Sequence, residues 1–412
     1  MGEAATRNEP PPTKRDAAEA ALRVAMVSKS LTRAGGGLTP MIQSLGRALC
    51  TDFAIDLEVY GIEDEHVAGE LADWAPVTAR AFSSYGPKSL SFAPAMTRAV
   101  LDFDGDLVHT HGLWAYPSLA ALRFTQKTGR PHLVSLHGML NPIALSHSKW
   151  KKQLIGGWLY EHKHLRTAAC IHALTKVEAG YARDYGVKAP ICVVPNGVEP
   201  PPKRPDRPAP WAEHFPAGSK VLLSLGRFNP IKGLPNLIDG WRKAKDATGD
   251  DTWRLVLVGW GQHGHEEELR EQTKQLGLDD SVCFLGPQFG DDKLAAYAAA
   301  DAFVLPSLSE AFPMVVLEAW SHGLPVLMTP TCNIPEGFDE GAALRMEANA
   351  DSIGERLAET FGMPEDDLRA IGERGRRLTA ERYSWRQVGA ALRSVYGWVA
   401  GGGPAPECVR VD

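Results

Sequence analysis

Short apolar runs alternate along the chain with longer stretches whose apolar positions recur every three to four residues. In the first half the runs are LRVAMVS (22–28), IDLEVY (55–60), LVHTHG (107–112), HLVSLHG (132–138), CIHALT (170–175) and ICVVPNG (191–197). In the second half they are VLLSLG (221–226), RLVLVG (254–259), VCFLG (282–286), AFVLPS (302–307) and LPVLMT (324–329). Runs this rich in Val, Leu and Ile suit strands covered on both faces, as in parallel sheets. Their alternation with helical patterns implies right-handed β-α-β crossovers, so the pattern predicts an α/β fold with doubly wound sheets. The organisation occurs twice, without an evident sequence repeat.

Seven prolines fall in EPPPKRPDRPAPWAEHFPAG (199–218), which predicts a linker rather than regular structure. Two Rossmann-like domains facing a cleft are therefore expected. Their divisions are a tail at 1–20, a first domain at 21–198, the linker at 199–218 and a second domain at 219–382. A helix at 383–400, with Trp385, Val388, Leu392 and Val395 at helical spacing, and a Gly-rich tail at 401–412 complete the chain.

Composition narrows the class. At about 100–200 residues per domain, 412 residues give two to three domains. Apolar residues are 44% and charged residues 23%, ordinary for a globular chain. Forty-four basic and fifty acidic residues leave a net charge of −6, which argues against a protein devoted to nucleic acid. No run approaches the ~18 apolar residues of a membrane span. The polar, Pro-rich start lacks the apolar core of a signal peptide. Met1-Gly2 with Thr6 fits the loose myristoylation pattern, but a solvated tail is the simpler reading. The cysteines at 50, 170, 192, 283, 332 and 408 form no Cys-x-x-Cys pair, so they read as inert thiols of a reducing cytosol.

Four features carry candidate chemistry. Gly35-Gly36-Gly37 lies between the first strand and a helix from about 38, where glycines permit positive φ and a close ligand approach. The helix start behind them favours anions. It is neither a dinucleotide fingerprint nor a P-loop, and a plain flexible turn is the alternative. GRFNPIKG (226–233) follows a strand, and its Arg227 and Lys232 could neutralise a diphosphate, or could form a solvated basic loop. In SLSEAFPMVVLEAWSHGLPVLMT (307–329), Pro313 suits a first helical position, leaving the Met314 and Val315 N–H groups for a phosphate. Glu318 lies in an apolar helix and needs a partner, either two adjacent sugar hydroxyls or a core Lys or Arg. Finally His109, His111 and His137 stand at strand ends, where a structural hydrogen bond is the ordinary role.

Three segments need separate treatment. DFDGD (102–106) precedes a strand and reads as a turn rather than a metal motif. HGHEEE (263–268) reads as a helix start rich in Glu. SKWKKQLIGGWLYEHKHLR (148–166) is basic and amphipathic, suited either to an anionic membrane surface or to packing on a sheet.

GRFNPIKG, the Glu310/Glu318 pair with seven residues between, HGLPV, VVPNGV (193–198) and the closing YSW (383–385) with Tyr396 resemble the retaining, nucleotide-sugar-dependent glycosyltransferases of family 4. The likeness spans roughly 21–398. SLHGMLNPIALSHSKWKK further resembles members from bacterial polysaccharide gene clusters. The resemblance implies a GT-B fold, with the donor on the second domain and a glycan or lipid-linked acceptor on the first. It implies that Arg227 and Lys232 bind the donor diphosphate, that Glu318 holds the ribose, and that Glu310 contacts the transferred sugar. The Phe312, Pro313, Met314 and Val315 backbone would meet sugar and phosphate. His137 would sit at the sugar's reacting face, and the Gly36-Gly37 loop would close over the diphosphate. This chain has Glu310-Ala311-Phe312-Pro313 where the family usually has Glu-Gly-Phe-Pro.

The activity so implied moves a sugar from a nucleoside diphosphate to an acceptor hydroxyl with retained configuration, in polysaccharide or glycolipid synthesis. No metal and no resident cofactor are expected, since Arg, Lys and a helix start can stabilise the leaving phosphate. A cytoplasmic location is expected, with peripheral contact at the inner membrane face through 148–166. Two alternatives stand beside it: a nucleotide-sugar epimerase of the same fold, and a catalytically silent partner subunit.

Overall fold

The computed structural model describes residues 21–86, 91–146, 160–202, 206–261 and 264–411. The expected tail at 1–20 and the 148–159 part of the basic amphipathic segment lie outside the described residues.

The first domain carries β1 (Arg23–Ser28), β2 (Asp56–Ile62), β3 (Thr78–Phe82), β4 (Leu107–His111), β5 (His132–Ser135), β6 (Cys170–Ala173) and β7 (Ile191–Val193). The second carries β8 (Lys220–Leu225), β9 (Trp253–Val258), β10 (Val282–Leu285), β11 (Ala302–Leu305), β12 (Val326–Met328) and β13 (Ala343–Arg345). A last strand, β14 (Val409–Arg410), returns to the first domain. The first sheet runs β14-β7-β6-β5-β4-β1-β2-β3, with only β14 antiparallel. The second runs β10-β9-β8-β11-β12-β13 and is parallel throughout.

Among the described residues, the helices that cover these sheets include α1 (Leu38–Phe53), α2 (Pro94–Asp102), α3 (Tyr116–Thr128), α4 (Lys176–Asp184), α5 (Leu234–Thr248), α6 (Gly290–Ala299), α7 (Met314–Ser321), α8 (Ala350–Phe361), α9 (Glu365–Arg382) and α10 (Trp385–Gly401). The central strands are buried on both faces, as their unbroken apolar composition requires: all six residues of β9 and all four of β11 are buried. In the first domain α1 and α10 pack on one face, while α2 and α3 cover the other. In the second, α7 packs on one face, while α5 and α8 cover the other. Among the described residues no helix is long and apolar enough to cross a membrane. All six cysteines are free, four of them buried.

Each sheet reverses its strand order once, between β1 and β4 in the first and between β8 and β11 in the second. At such a switch the connections leave in opposite directions and open a crevice beyond the carboxyl ends, where ligands bind in open α/β sheets. The loops leaving β1, β8 and β11 carry the Gly-rich, Arg/Lys and Glu motifs, so the topology puts the candidate chemistry at the two crevices.

Three strands were not anticipated: β3, β13 and β14. All three are edge strands. β3 turns Thr78 and Arg80 outward, and the other two have two or three residues, so none presents an apolar run. The stretch 401–412, expected as a tail, is corrected by this result. Val409 and Arg410 pair with Cys192 and Ile191 and cap the edge of β7. In the linker, Trp211 is buried in the second domain's core.

The end of the chain binds the halves together. α9 packs on α7 of the second domain, whereas Trp385, Val388, Leu392, Val395 and Tyr396 of α10 enter the core beneath the first sheet. Leu392 is fully buried there. Leu392→Ala is expected to lower stability by about 2–5 kcal/mol, read in urea unfolding as an earlier transition of the first domain. An unchanged midpoint would show that α10 is not part of that core.

Candidate active site in the interdomain cleft

The second-domain switch holds a dense polar constellation. After β8 the chain makes a single tight turn, Pro230–Lys232, capped by the Asn229 side chain, which accepts from the Ile231 N–H at 3.1 Å. This turn places Lys232 Nζ 2.6 Å from Glu310 Oε1, on the loop after β11. The Ser307 hydroxyl donates to the same oxygen at 2.6 Å. The β11 loop is held from below: the Thr331 hydroxyl donates to Ser307 O at 2.5 Å and Asn333 Nδ2 donates to Glu310 O at 2.6 Å. Lys232 and Glu310 are largely shielded from solvent, with side-chain exposures of 23% and 12%. Arg227 is exposed at the start of the same loop, and among the described residues no carboxylate pairs with it.

α7 begins directly after this loop. Pro313 is its N-cap rather than its first helical residue, a correction of one position, with φ −84° and ψ 94°. The N–H groups of Met314 and Val315 therefore open the helix, ahead of its first internal hydrogen bond, and the macrodipole adds positive potential there. Phe312, Met314 and Val315 are half-buried around this start. One turn along α7, Glu318 is satisfied from α6: Lys293 Nζ lies 2.6 Å from Oε1, and the Tyr297 hydroxyl donates to Oε2 at 2.8 Å. Of the two expected partners for Glu318, the lysine is the one present in this structure, and Lys293 and Glu318 keep side-chain exposures of 29% and 24%.

The first domain approaches through the loop after β5. His137 adopts φ +50° and Gly138 φ +77°. A Cβ on Gly138 would lie 2.5 Å from the Ala311 methyl, so glycine is required both for the backbone and for the close approach of the domains. Asn141 Nδ2 donates to Ser309 Oγ at 3.2 Å across the same contact. Ala311 itself has no left-handed backbone, so alanine meets no strain where the family pattern has glycine. Glu178 of α4, buried, pins the turn by accepting from the Gly138 and Leu174 N–H groups.

Structure brings Lys232, Glu310, Phe312 to Val315 and the His137 loop to one place, with Arg227 and Glu318 flanking it. The Gly36-Gly37 loop follows β1 in the first domain, and a Cβ at either glycine would meet nothing within 4 Å, so neither makes a close approach to these groups. Gly36, at φ +61° and ψ −141°, needs glycine for its backbone. Gly37 has an ordinary helical φ of −64° and open space around it, so neither backbone nor packing demands glycine there. Among the described residues no group of three metal-ligating side chains occurs.

Sequence reading missed Lys293, Tyr297, Asn141 and Glu178. Lys293 and Tyr297 stand four apart on α6, the spacing of one helical face. Glu178 was visible as the Glu of a Thr175-x-x-Glu capping box. Thr175 does cap α4 by accepting from the Glu178 N–H, but the carboxylate reaches other backbone donors instead.

Buried histidines mark the strand ends. Burial, then neighbouring histidines, hold His109 and His111 well below the ordinary range. The same causes bring His137 to about 3, burial and His164 bring His132 to about 3, and burial brings His172 to about 4. In the unfolded chain each regains a value near ~6.5. Below that pH the unfolded state takes up protons that the folded state refuses. Stability is thus fully present above about pH 6.5 and falls by about 1.4 kcal/mol per pH unit per histidine on acidification. We expect cooperative unfolding between about pH 6 and about pH 4 by far-ultraviolet circular dichroism; a native spectrum retained at pH 4 would contradict neutral, buried histidines.

Comparison with known proteins agrees with this architecture. Residues 207–378 match the family model described as Glycosyl transferases group 1, and residues 16–197 match the model described as Glycosyl transferase 4-like domain. A D-inositol 3-phosphate glycosyltransferase of Saccharomonospora viridis is 33% identical over 188 residues, covering 44% of this chain and 43% of that one. The chain thus matches about half the length, or less, of such relatives. Among solved structures, Anabaena Alr3699/HepE in complex with UDP and glucose superposes with a TM-score of 0.72 at 18% identity, over 91% of this chain and 99% of that one. A glycosyltransferase from Rickettsia africae superposes with a TM-score of 0.72 at 17% identity, over 93% and 100%. The last two share the fold.

Proposed function

The chain is a member of the group 1 glycosyl transferases, and on that premise we propose that it transfers a sugar, of hexosyl type, from a nucleoside diphosphate to an acceptor hydroxyl with retention of configuration. The observation that carries this reading is the Lys232–Glu310 pair at the β8/β11 switch, beside exposed Arg227 and the start of α7. A diphosphate needs cations and N–H donors; a sugar needs a carboxylate acceptor for its hydroxyls. Both sets stand here side by side. The S. viridis relative is named as a glycosyltransferase, and the Anabaena protein was solved with UDP and glucose, which agree with a nucleotide-sugar donor.

In this reading Arg227 and Lys232 take the diphosphate, one as a planar fork and one as a point charge, and the Met314 and Val315 N–H groups add donors. Glu318 accepts from two ribose hydroxyls, exchanging Lys293 and Tyr297 for them. Glu310 accepts from the transferred sugar, and His137 faces it from the other wall. The bond from the anomeric carbon to the diphosphate oxygen breaks while the bond to the acceptor oxygen forms on the same face. The acceptor's proton passes to the departing phosphate oxygen. Charge neutralisation by Arg227, Lys232 and the helix start asks for no metal and no resident cofactor. The acceptor is a glycan or lipid-linked saccharide of polysaccharide or glycolipid synthesis. The protein acts in the cytoplasm, with the 148–166 segment serving peripheral contact at the membrane's inner face.

The reading is tested by thermal shift with UDP, GDP and ADP. A ligand at 100 times its Kd adds ~2.7 kcal/mol, which for domains of this size raises Tm by roughly 2–4 °C per kcal/mol. One nucleotide should raise Tm by several degrees, and Lys232→Ala should abolish the rise. No rise with any nucleotide, or one that survives Lys232→Ala, counts against a donor site at this switch.

A further inference from the structure

A fully buried hydrogen-bonded chain runs under the first-domain crevice, and a single carbonyl fixes every proton in it. Val194 O can only accept, so His172 Nε2, 2.7 Å away, carries a hydrogen. His172 is neutral, which leaves Nδ1 as acceptor for the Ser135 hydroxyl at 2.6 Å. That spends the hydroxyl's only proton. His109 Nε2, 2.7 Å from Ser135 Oγ, must therefore donate, and His109 Nδ1 must accept from the Tyr396 hydroxyl at 2.7 Å. Tyr396 belongs to α10, so the last helix supplies the donor that this tautomer of a strand-end histidine requires.

His111 packs on this chain, with its ring centroid 4.3 Å from that of His109. Its Nδ1 lies 3.1 Å from His137 Nε2, and its Nε2 is buried with no partner among the described residues. Burial keeps both rings neutral, so one hydrogen lies between them. If His137 donated it, His111 would hold a dry N–H without an acceptor. If His111 donates it, only a lone pair is left unmet. Orphaned buried N–H groups are the rarer and costlier defect. The second arrangement puts the remaining hydrogen of His137 on Nδ1. His137 is half-buried, on the turn whose next residue touches Ala311, and no described residue pairs with that nitrogen.

We propose that His111 is a positioning residue: by donating Nδ1–H to His137 Nε2, it locks His137 in the tautomer whose Nδ1–H faces the cleft, where it donates to an oxygen of the transferred sugar. The sugar contact rests on the transferase reading above; the tautomer does not. An acceptor-only nitrogen at this place could not serve a sugar ether oxygen and could only accept from a hydroxyl, so the proton-bearing nitrogen decides what His137 can donate to.

Nitrogen-15 NMR of the full chain with labelled histidine tests it, the His137 signals being assigned by their loss in His137→Gln. The expected spectrum has Nδ1 protonated and Nε2 bare, unchanged from pH 8 to pH 6.5. A hydrogen on His137 Nε2 would overturn the proposal without any appeal to activity. In turnover with the nucleotide sugar that binds, His111→Leu should cut kcat ten- to a hundredfold with donor KM changed less than threefold. His111→Asn, whose amide can donate from nearly the same position, should recover to within threefold. Equal loss in the Leu and Asn variants, with both still folded by circular dichroism, would make His111 a mere packing residue and contradict the proposal. Should the chain show no transfer at all, the NMR result still decides the tautomer, and only the transferase reading falls.

Discussion

The ion pair between Lys232 and Glu310 is the constraint around which the cleft is built. It joins two loops that leave adjacent strands in opposite directions, at 2.6 Å and largely shielded from water. Shielding charges is costly unless each finds its partner and its remaining hydrogen bonds. Here the cost is met locally. Ser307 supplies a second donor to the carboxylate, and Thr331 and Asn333 fix the loop from beneath. The same carboxylate that steadies Lys232 is a negative charge beside the place where a diphosphate would sit. The resting chain thus keeps its phosphate-binding cation occupied, and a donor must compete for it. Glu318 repeats the arrangement with Lys293 and Tyr297. Both acidic groups of the motif are satisfied before any ligand arrives, which is what allows them to be held in place without collapse.

The first domain is organised to meet that pair. The His137–Gly138 turn adopts two successive left-handed residues, pinned by the buried Glu178, and it touches Ala311 one residue beyond Glu310. Behind it lies the Tyr396–His109–Ser135–His172 chain, whose proton order follows from one carbonyl. α10 therefore does more than join the domains. It contributes Leu392 and Val395 to the first core and Tyr396 to the polar layer under the crevice.

What the sequence made legible follows from which physical signals are local. Strands covered on both faces advertise themselves as apolar runs, so every interior strand of the two sheets was readable. Edge strands such as Thr78–Phe82 half-bury an alternating surface and carry Arg or Thr outward, and Val409–Arg410 is too short for any period. Arg227, Lys232, Glu310 and Glu318 were readable because glycine, proline and charge cluster at the ends of runs. Their partners were not. Lys293 and Tyr297 sit on a helix where polar side chains ordinarily face water, and only the folded chain shows that these turn toward Glu318. The domain contact was invisible for the same reason: nothing local in Asn141 or Ser309 announces a partner 168 residues away.

The central claim is that Lys232 is held by Glu310 in place of a diphosphate. Calorimetric titration of the Glu310→Gln chain with UDP, GDP and ADP in turn tests it most directly. Removing the negative charge while keeping the side chain's shape should tighten binding of the nucleotide that binds wild type by about tenfold, close to 1.4 kcal/mol. Unchanged or weaker binding would show that the pair is a structural clasp with no competitor, and would contradict the account.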